Sequence, residues 1–444
     1  MTTLQPSESP SGVASPKLLI ATLAVVLTIV TCGQLWAQSG IVLHAFSGPD
    51  GIEPWAGVTL DSAGNLYGTT AAGGPTNPDC PGEGSDSGCG TVYKLTHRSS
   101  GWTLSQLYNF QGGSDSAYPV SSIVFGPDGA VYGTTQGVPP SISGATTCSQ
   151  NGCGSVFRLT PPATVCKSVS CPWTKTTLYS FTGGADGSLP GLGSLIFDAS
   201  GNVYGTTQHG GAYGAGVVYE ISRSGGGWTE SVLYSFSGQD DGGTPVGGVV
   251  FDPSGNLYGT TSLGGIYNWG TVFKLAPSGS GWNETVLHTF VNTPNGSNPD
   301  GGSPQASLVL HNNLLYGTTA YGPGSDYLGT VFVVDPAEQG GYFATVNGFL
   351  YLGGVQAPGP LGPVTLDAAG NVYGSQYESA GGSGGVYEIV WAPPTFPILG
   401  LLSFNGDNGD GPVGNIVFDA QGNLYGTASA VGPNYGGVVW ELTL

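Results

Sequence analysis

The residues that could do chemistry in this chain are few and scattered. His44, His97, His209, His288 and His311 share no metal-ligand spacing, and neither His-Glu-x-x-His nor a glycine-rich loop with its lysine occurs. His44 and His288 share one repeat position, which points to a structural role. Gly381-x-Ser383-x-Gly385 satisfies the serine-hydrolase pattern, but glycine is 80 of 444 residues and such a string arises readily by chance. Its surroundings lack the strand-turn-helix elbow that exposes a nucleophilic serine. Paired carboxylates for glycoside cleavage are defined by a separation that only the fold supplies.

Two other sets recur in register. Asp50, Asp115, Asp186, Asp241 and Asp300 each stand four residues before a repeated proline, with Asp410 as a shortened version. Asp-Gly favours tight turns, and that is the plainer reading. The alternative is a hard cation, which takes several oxygens. Asp407-Asn408-Gly409-Asp410-Gly411 is the best Ca²⁺ candidate, although it lacks the downstream Glu of an EF-hand loop. No other cofactor is called for. The second set is aromatic: Tyr213, Tyr267, Trp269, Tyr321, Tyr327, Tyr377 and Tyr435 lie in segments of varying length outside the repeat consensus. Such rings either pack on their own loops or offer faces to sugar rings. Trp102, Trp228 and Trp282 each follow a glycine at one consensus place and read as packing.

These residues need a scaffold, and composition says which kind. A helix loses about 1 kcal/mol for each interior glycine, so a chain this rich in glycine and poor in lysine is not helical. Aromatics at 11% argue against simple disorder, and there is no collagen period. Eight Lys+Arg against 28 Asp+Glu give a net charge of −20. That sign disfavours nucleic acid and anionic membrane surfaces as partners.

Residues 1–17 are polar and end in Lys17, an apolar run covers Leu18 to Val30, and Ala37 follows shortly. This reads as a secretory signal and short linker over 1–39, with cleavage after Ala37; retention as an anchor is the alternative. The run is short of the ~20 residues a membrane span needs. Removing it removes Cys32 and leaves six cysteines in local couples: Cys80 with Cys89, Cys148 with Cys153, Cys166 with Cys171. Proximity and an oxidising compartment suggest disulfides, although six thiols allow 15 connectivities.

Residues 40–444 are repetitive. Gly-Asn-Leu-Tyr-Gly-Thr-Thr, or a close variant, places tyrosines at Tyr67, Tyr132, Tyr204, Tyr258, Tyr316, Tyr373 and Tyr425. Pro54, Pro119, Pro190, Pro245, Pro304, Pro360 and Pro412 precede them by 12 to 14 residues. Repeat four reads as strands over 247–252, 256–261, 270–275 and 282–290, with turns between. Seven such units predict an all-β, seven-bladed β-propeller with four-stranded blades. Ile41 to Phe46 resembles a fourth strand and Gly437 to Leu444 a third, so the ends predict 3+1 closure of the ring.

The unit resembles that of the choice-of-anchor tandem-repeat GloVer proteins of bacterial envelopes. The resemblance rests on Gly-Asn-Leu-Tyr-Gly-Thr-Thr, on Gly-Thr-Val-Tyr/Phe-Lys-Leu and on Leu-Tyr-Ser-Phe-x-Gly, and covers nearly all of 41–444. It implies a surface or secreted location and no established activity. The resulting expectation is an exported, monomeric, non-catalytic module. It would bind a glycan or an envelope protein through the face that gathers the variable loops. A polysaccharide lyase or hydrolase using that face and a passive surface protein are the alternatives.

Overall fold

The computed structural model describes residues 40–80, 88–137, 148, 151–162, 173–279, 281–291, 300–322, 327–337, 342–350, 359–377, 383–392 and 396–444. The expected leader and the couple Cys166/Cys171 lie outside these residues.

The chain forms a seven-bladed β-propeller whose blades are antiparallel sheets following one another round the ring. Blade four is typical. Its strands are Val250–Phe251, Leu257–Thr261, Thr271–Ser278 and Gly281–Thr289, from the axis outward. The first strand is shorter than expected because the glycines before it leave the ladder. A Cβ on Gly247 would strike the Ala306 carbonyl, and one on Gly248 the Ser194 carbonyl. The outer hairpin is tighter than expected: Ala276, Pro277 and Ser278 belong to the third strand, opposite Asn283, Trp282 and Gly281.

Blade seven is composite. Val417–Phe418, Leu424–Ala428 and Val438–Leu442 are completed by the N-terminal strand Gly40–Ala45, which runs from Gly40 opposite Leu442 to Ala45 opposite Val438. The predicted 3+1 closure is therefore present, and it covers a sheet edge that would otherwise invite pairing with another chain.

The repeat motif is consumed in holding blades together. The glycine after each tyrosine leaves room for an aromatic ring from the third strand: Tyr93 over Gly68, Phe157 over Gly133, Phe273 over Gly259, Trp440 over Gly426. The first threonine crosses to the next blade. Thr69 donates to the Ser121 carbonyl, Thr206 to Gly247, Thr260 to Ala306, Thr318 to Gly362 and Thr427 to Ala56. The second threonine pairs within its own blade, as Thr70 does with Thr91 and Thr261 with Thr271. Each repeat proline sits on the left-handed glycine before the preceding blade's third strand, from Pro119 on Gly90 round to Pro54 on Gly437. Fourth-strand phenylalanines reach forward as well: Phe46 meets Tyr93, Phe110 meets Phe157, Phe236 meets Phe273, all with ring centroids 5.0–5.3 Å apart. Trp102 packs edge-on against Tyr425 of the neighbouring blade at 6.1 Å. Buried rings of this kind contribute both area and geometry to the seams.

Candidate functional site

Loops between blades and loops from second to third strand meet at one end of each blade. Short bridges tie them: Ile52 to Ala72, Gly243 to Leu263, Gly302 to Tyr321, Asp410 to Ala430. This is the loop-rich face expected from the sequence.

The aspartates on it are latches. Asp186 accepts from the Tyr179 hydroxyl (3.1 Å) and from the Thr182 backbone N–H and hydroxyl. Asp241 does the same with Tyr234 (3.0 Å) and Ser237. Asp115 accepts from Tyr108, and burial together with Asp186 pushes the Tyr179 phenol up to about 12. Where the tyrosine is replaced by histidine the carboxylate stays beside it: His44 Nε2 is hydrogen-bonded to Asp50 at 2.8 Å, and His288 Nε2 lies 3.2 Å from Asp300 without hydrogen-bond geometry. Both histidines therefore serve the loop ends, as the shared repeat position suggested.

The loop of the Ca²⁺ candidate uses a different latch residue. Asn408, not Asp410, is the latch residue of its loop: Asn408 Oδ1 accepts from the Asn405 N–H at 2.9 Å, as Asp50 Oδ1 accepts from Ser47 at 2.8 Å. Asn408 Nδ2 donates to the Ser403 carbonyl, so this amide is committed on both sides. Asp410 instead pairs its backbone with Ala430. Counting four residues back from Pro412 reaches Asn408, so the sequence held this signal. Among the described residues no three His, Cys, Asp or Glu side chains are grouped to hold a metal.

The aromatic set divides. Tyr213, Tyr267, Tyr321 and Tyr435 are exposed, at 69%, 56%, 42% and 85%. Trp269 is half-buried against Gly302 and meets Tyr321 edge-on at 6.1 Å. Tyr377 lies half-buried over Gly411. These two are wedges between loops rather than free faces. Tyr327 is not in a loop at all. It begins the third strand of blade five, Tyr327–Asp335, opposite Leu350. Leu263 and Ile266, exposed beside Tyr267, escaped the sequence reading because they are not aromatic. Two large aliphatic side chains in one variable loop were the available signal.

Blades one and two cover the same face with cystines. Cys80 pairs with Cys89, and Cys148 with Cys153. Asn151 joins the two loops: its Oδ1 accepts from the Gly113 N–H (2.8 Å) and its Nδ2 donates to the Asp79 carbonyl (3.0 Å).

The axial channel holds a cavity of about 470 Å³. Its walls are mostly aliphatic, with Phe418 and with hydroxyl and amide groups from Ser122, Ser194, Gln305, Ser307, Thr365 and Asn415, and no ionisable side chain among the described residues. Asn415 is already engaged, donating to the Val58 carbonyl and accepting from Ser122. Ser383 stands just before the third strand of blade six, and its carbonyl accepts from the Gly411 N–H.

Fold and site together define a propeller with one variable, partly apolar loop face. Residues 144–302, from blade two through blade four, match the Gloeobacter/Verrucomicrobia repeat family, so the repeat resembled by the sequence is present over that span. No curated protein matches the chain in sequence. Among solved structures it is similar to PorZ, a surface component of the type-IX secretion system of Porphyromonas gingivalis. The identity is 15% and the TM-score 0.51, over 90% of this chain and 47% of that one. It is also similar to an extracellular domain from B. thetaiotaomicron, with 11% identity and TM-score 0.47, over 91% of this chain and 40% of that one. The chain thus spans less than half the length of both, and the likeness concerns the fold. No helix among the described residues is long and apolar enough to cross a membrane.

Proposed function

We propose that this protein is an exported, non-catalytic binding module that takes a neutral glycan on the loop face of blades three to five. One observation carries the reading: Tyr213, Tyr267 and Tyr321, on the variable loops of three successive blades, are exposed on a scaffold whose repeat residues are occupied in holding it together. Rigid scaffolds that carry variable loops are a common way of building binding sites. Tyrosine offers a broad face at little entropic cost, with glycine-rich loops adapting around it. A net charge of −20 favours a neutral ligand over an acidic polysaccharide. The leader pattern and the two cystines support a location outside the cytoplasm.

A second reading has its own support. Leu263 and Ile266, 49% and 68% exposed, suit the apolar centre of a protein interface better than a sugar ring. Calorimetry with neutral oligosaccharides, following an array screen, tests the first reading. Binding that disappears in Tyr267→Ala/Tyr321→Ala supports it. Array binding unaffected by that variant, or no hit at all, overturns it. Loss of capture of an envelope protein in Leu263→Ser/Ile266→Ser would favour the second.

A further inference from the structure

One fourth-strand position, two residues after the tryptophan, faces the loop that enters its blade. It is Lys175 in blade two, Glu230 in blade three and Glu284 in blade four. In blade two the arrangement is complete. Lys175 Nζ donates to Asp115 Oδ1 at 2.7 Å and to the Asp115 carbonyl at 2.6 Å, and the same carboxylate accepts from Tyr108. The ammonium neutralises the latch.

The next two seams keep the latch and reverse the partner. Asp186 and Asp241 hold Tyr179 and Tyr234 as Asp115 holds Tyr108, but a glutamate stands where the ammonium would be. Oε1 of Glu230 and Oε1 of Glu284 are both buried, with no hydrogen-bond partner among the described residues. No ion pair involves either glutamate among those residues. A carboxylate oxygen removed from water without a donor, and next to a second carboxylate, is costly; a neutral carboxyl group is much less so.

We propose that the seams between blades two and three and between blades three and four are proton-operated locks. Glu230 and Glu284 each carry a proton while the seam is closed, and their ionisation loosens the Asp186 and Asp241 loops. The groups facing Glu230 are Asp186 on the entering loop, Tyr179 on the preceding blade's fourth strand and Tyr219 on its own third strand. Those facing Glu284 are Asp241 and Tyr234; its third-strand partner is Leu275, which does not titrate. Burial, and then the facing aspartate, push both glutamates up to about 7.

The sign follows from linkage. A carboxyl group raised in the folded state stabilises fully below its unfolded value near 4.5, and that contribution is lost as pH rises through about 7. Tyr234 is close enough to exposed Tyr213 to feel its charge, so the second lock borders the loop patch. The lock itself stands whether or not that patch binds a ligand.

Hydrogen exchange of the full chain at pH 5 and pH 8, corrected for intrinsic rates, tests it. Amides of 181–187 and 236–242 should exchange about tenfold faster at pH 8, a modest share of the linked shift because both side chains are only half-buried. Glu230→Gln/Glu284→Gln should abolish the difference. Glu230→Lys, which copies the blade-two pair, should abolish it in the first seam alone. An unchanged pH difference in the double variant overturns the proposal. Should the variants not fold, a carbon NMR titration of the wild-type carboxyl groups decides: ionisation of both near 4.5 refutes the locks, and near 7 supports them.

Discussion

Blades one and two and blades three to five carry the same inner machinery and finish their loop face in opposite ways. In the first pair the long loops are closed by Cys80–Cys89 and Cys148–Cys153 and laced together through Asn151. In the second group the loops are short, and Tyr213, Ile266, Tyr267 and Tyr321 stand in solvent. The scaffold beneath does not distinguish them: Gly154 seats Pro190 as Gly270 seats Pro304. A shared ring thus lets one arc spend its loops on order while another leaves side chains accessible. Exposed apolar groups grouped on one arc are what an interaction surface needs.

The comparison can be broken at its base. Gly154→Val and Gly270→Val both force a side chain onto left-handed backbone at φ 95° and 93° and into the next proline. Each should lower stability by about 3 kcal/mol or more in denaturant titration, and to a similar extent in both arcs. A large cost in only one would show that the scaffolds differ.

Cystine removal sharpens the contrast. Cys80→Ser/Cys89→Ser should cost about 2–3 kcal/mol and open the blade-one loop to proteolysis, leaving the blade-four loop unaffected. Asn151→Ala should cost about 1–3 kcal/mol, since it strands the Gly113 donor and the Asp79 acceptor. Tyr267→Ala and Tyr321→Ala should alter the unfolding midpoint little, by about 0.5 kcal/mol or less, while removing ligand binding. A large stability loss there would mark these tyrosines as packing residues instead.

The smallest effect concerns the opposite face, where both arcs use one turn. Asp128 in blade two and Asp252 in blade four accept several hydrogen bonds, which outweigh burial and hold their carboxyl groups below the ordinary value of 3.8. Such groups stabilise above 3.8, and the contribution disappears as pH falls through their folded values. Acid titration below pH 4 followed by NMR should show both turns responding together, weakly, because both are largely solvated.

Much of this was legible. Repeated prolines, tyrosines and glycines fix blade number because each has an obligatory partner in the adjoining blade or strand. The complementary ends gave the closure, and local cysteine spacing gave both described disulfides. What the sequence hid was direction. Trp269 and Tyr267 are two residues apart in one loop, yet one wedges on Gly302 and the other faces solvent. That difference depends on a glycine in another loop, which no periodicity encodes. Glu230 and Glu284 were also invisible as a pair with Lys175, since their meaning lies in what each faces across a seam.

The borrowed outer strand of blade seven has a consequence for synthesis. Gly40–Ala45 emerges from the ribosome early, and its partner Val438–Leu442 is among the last segments made. At about 5–20 residues per second the ribbon waits roughly 20–80 s without its ladder. Export of an unfolded chain lengthens that wait, so holdase supply before and during translocation, rather than the finished ring's stability, should set the yield of correctly sealed protein.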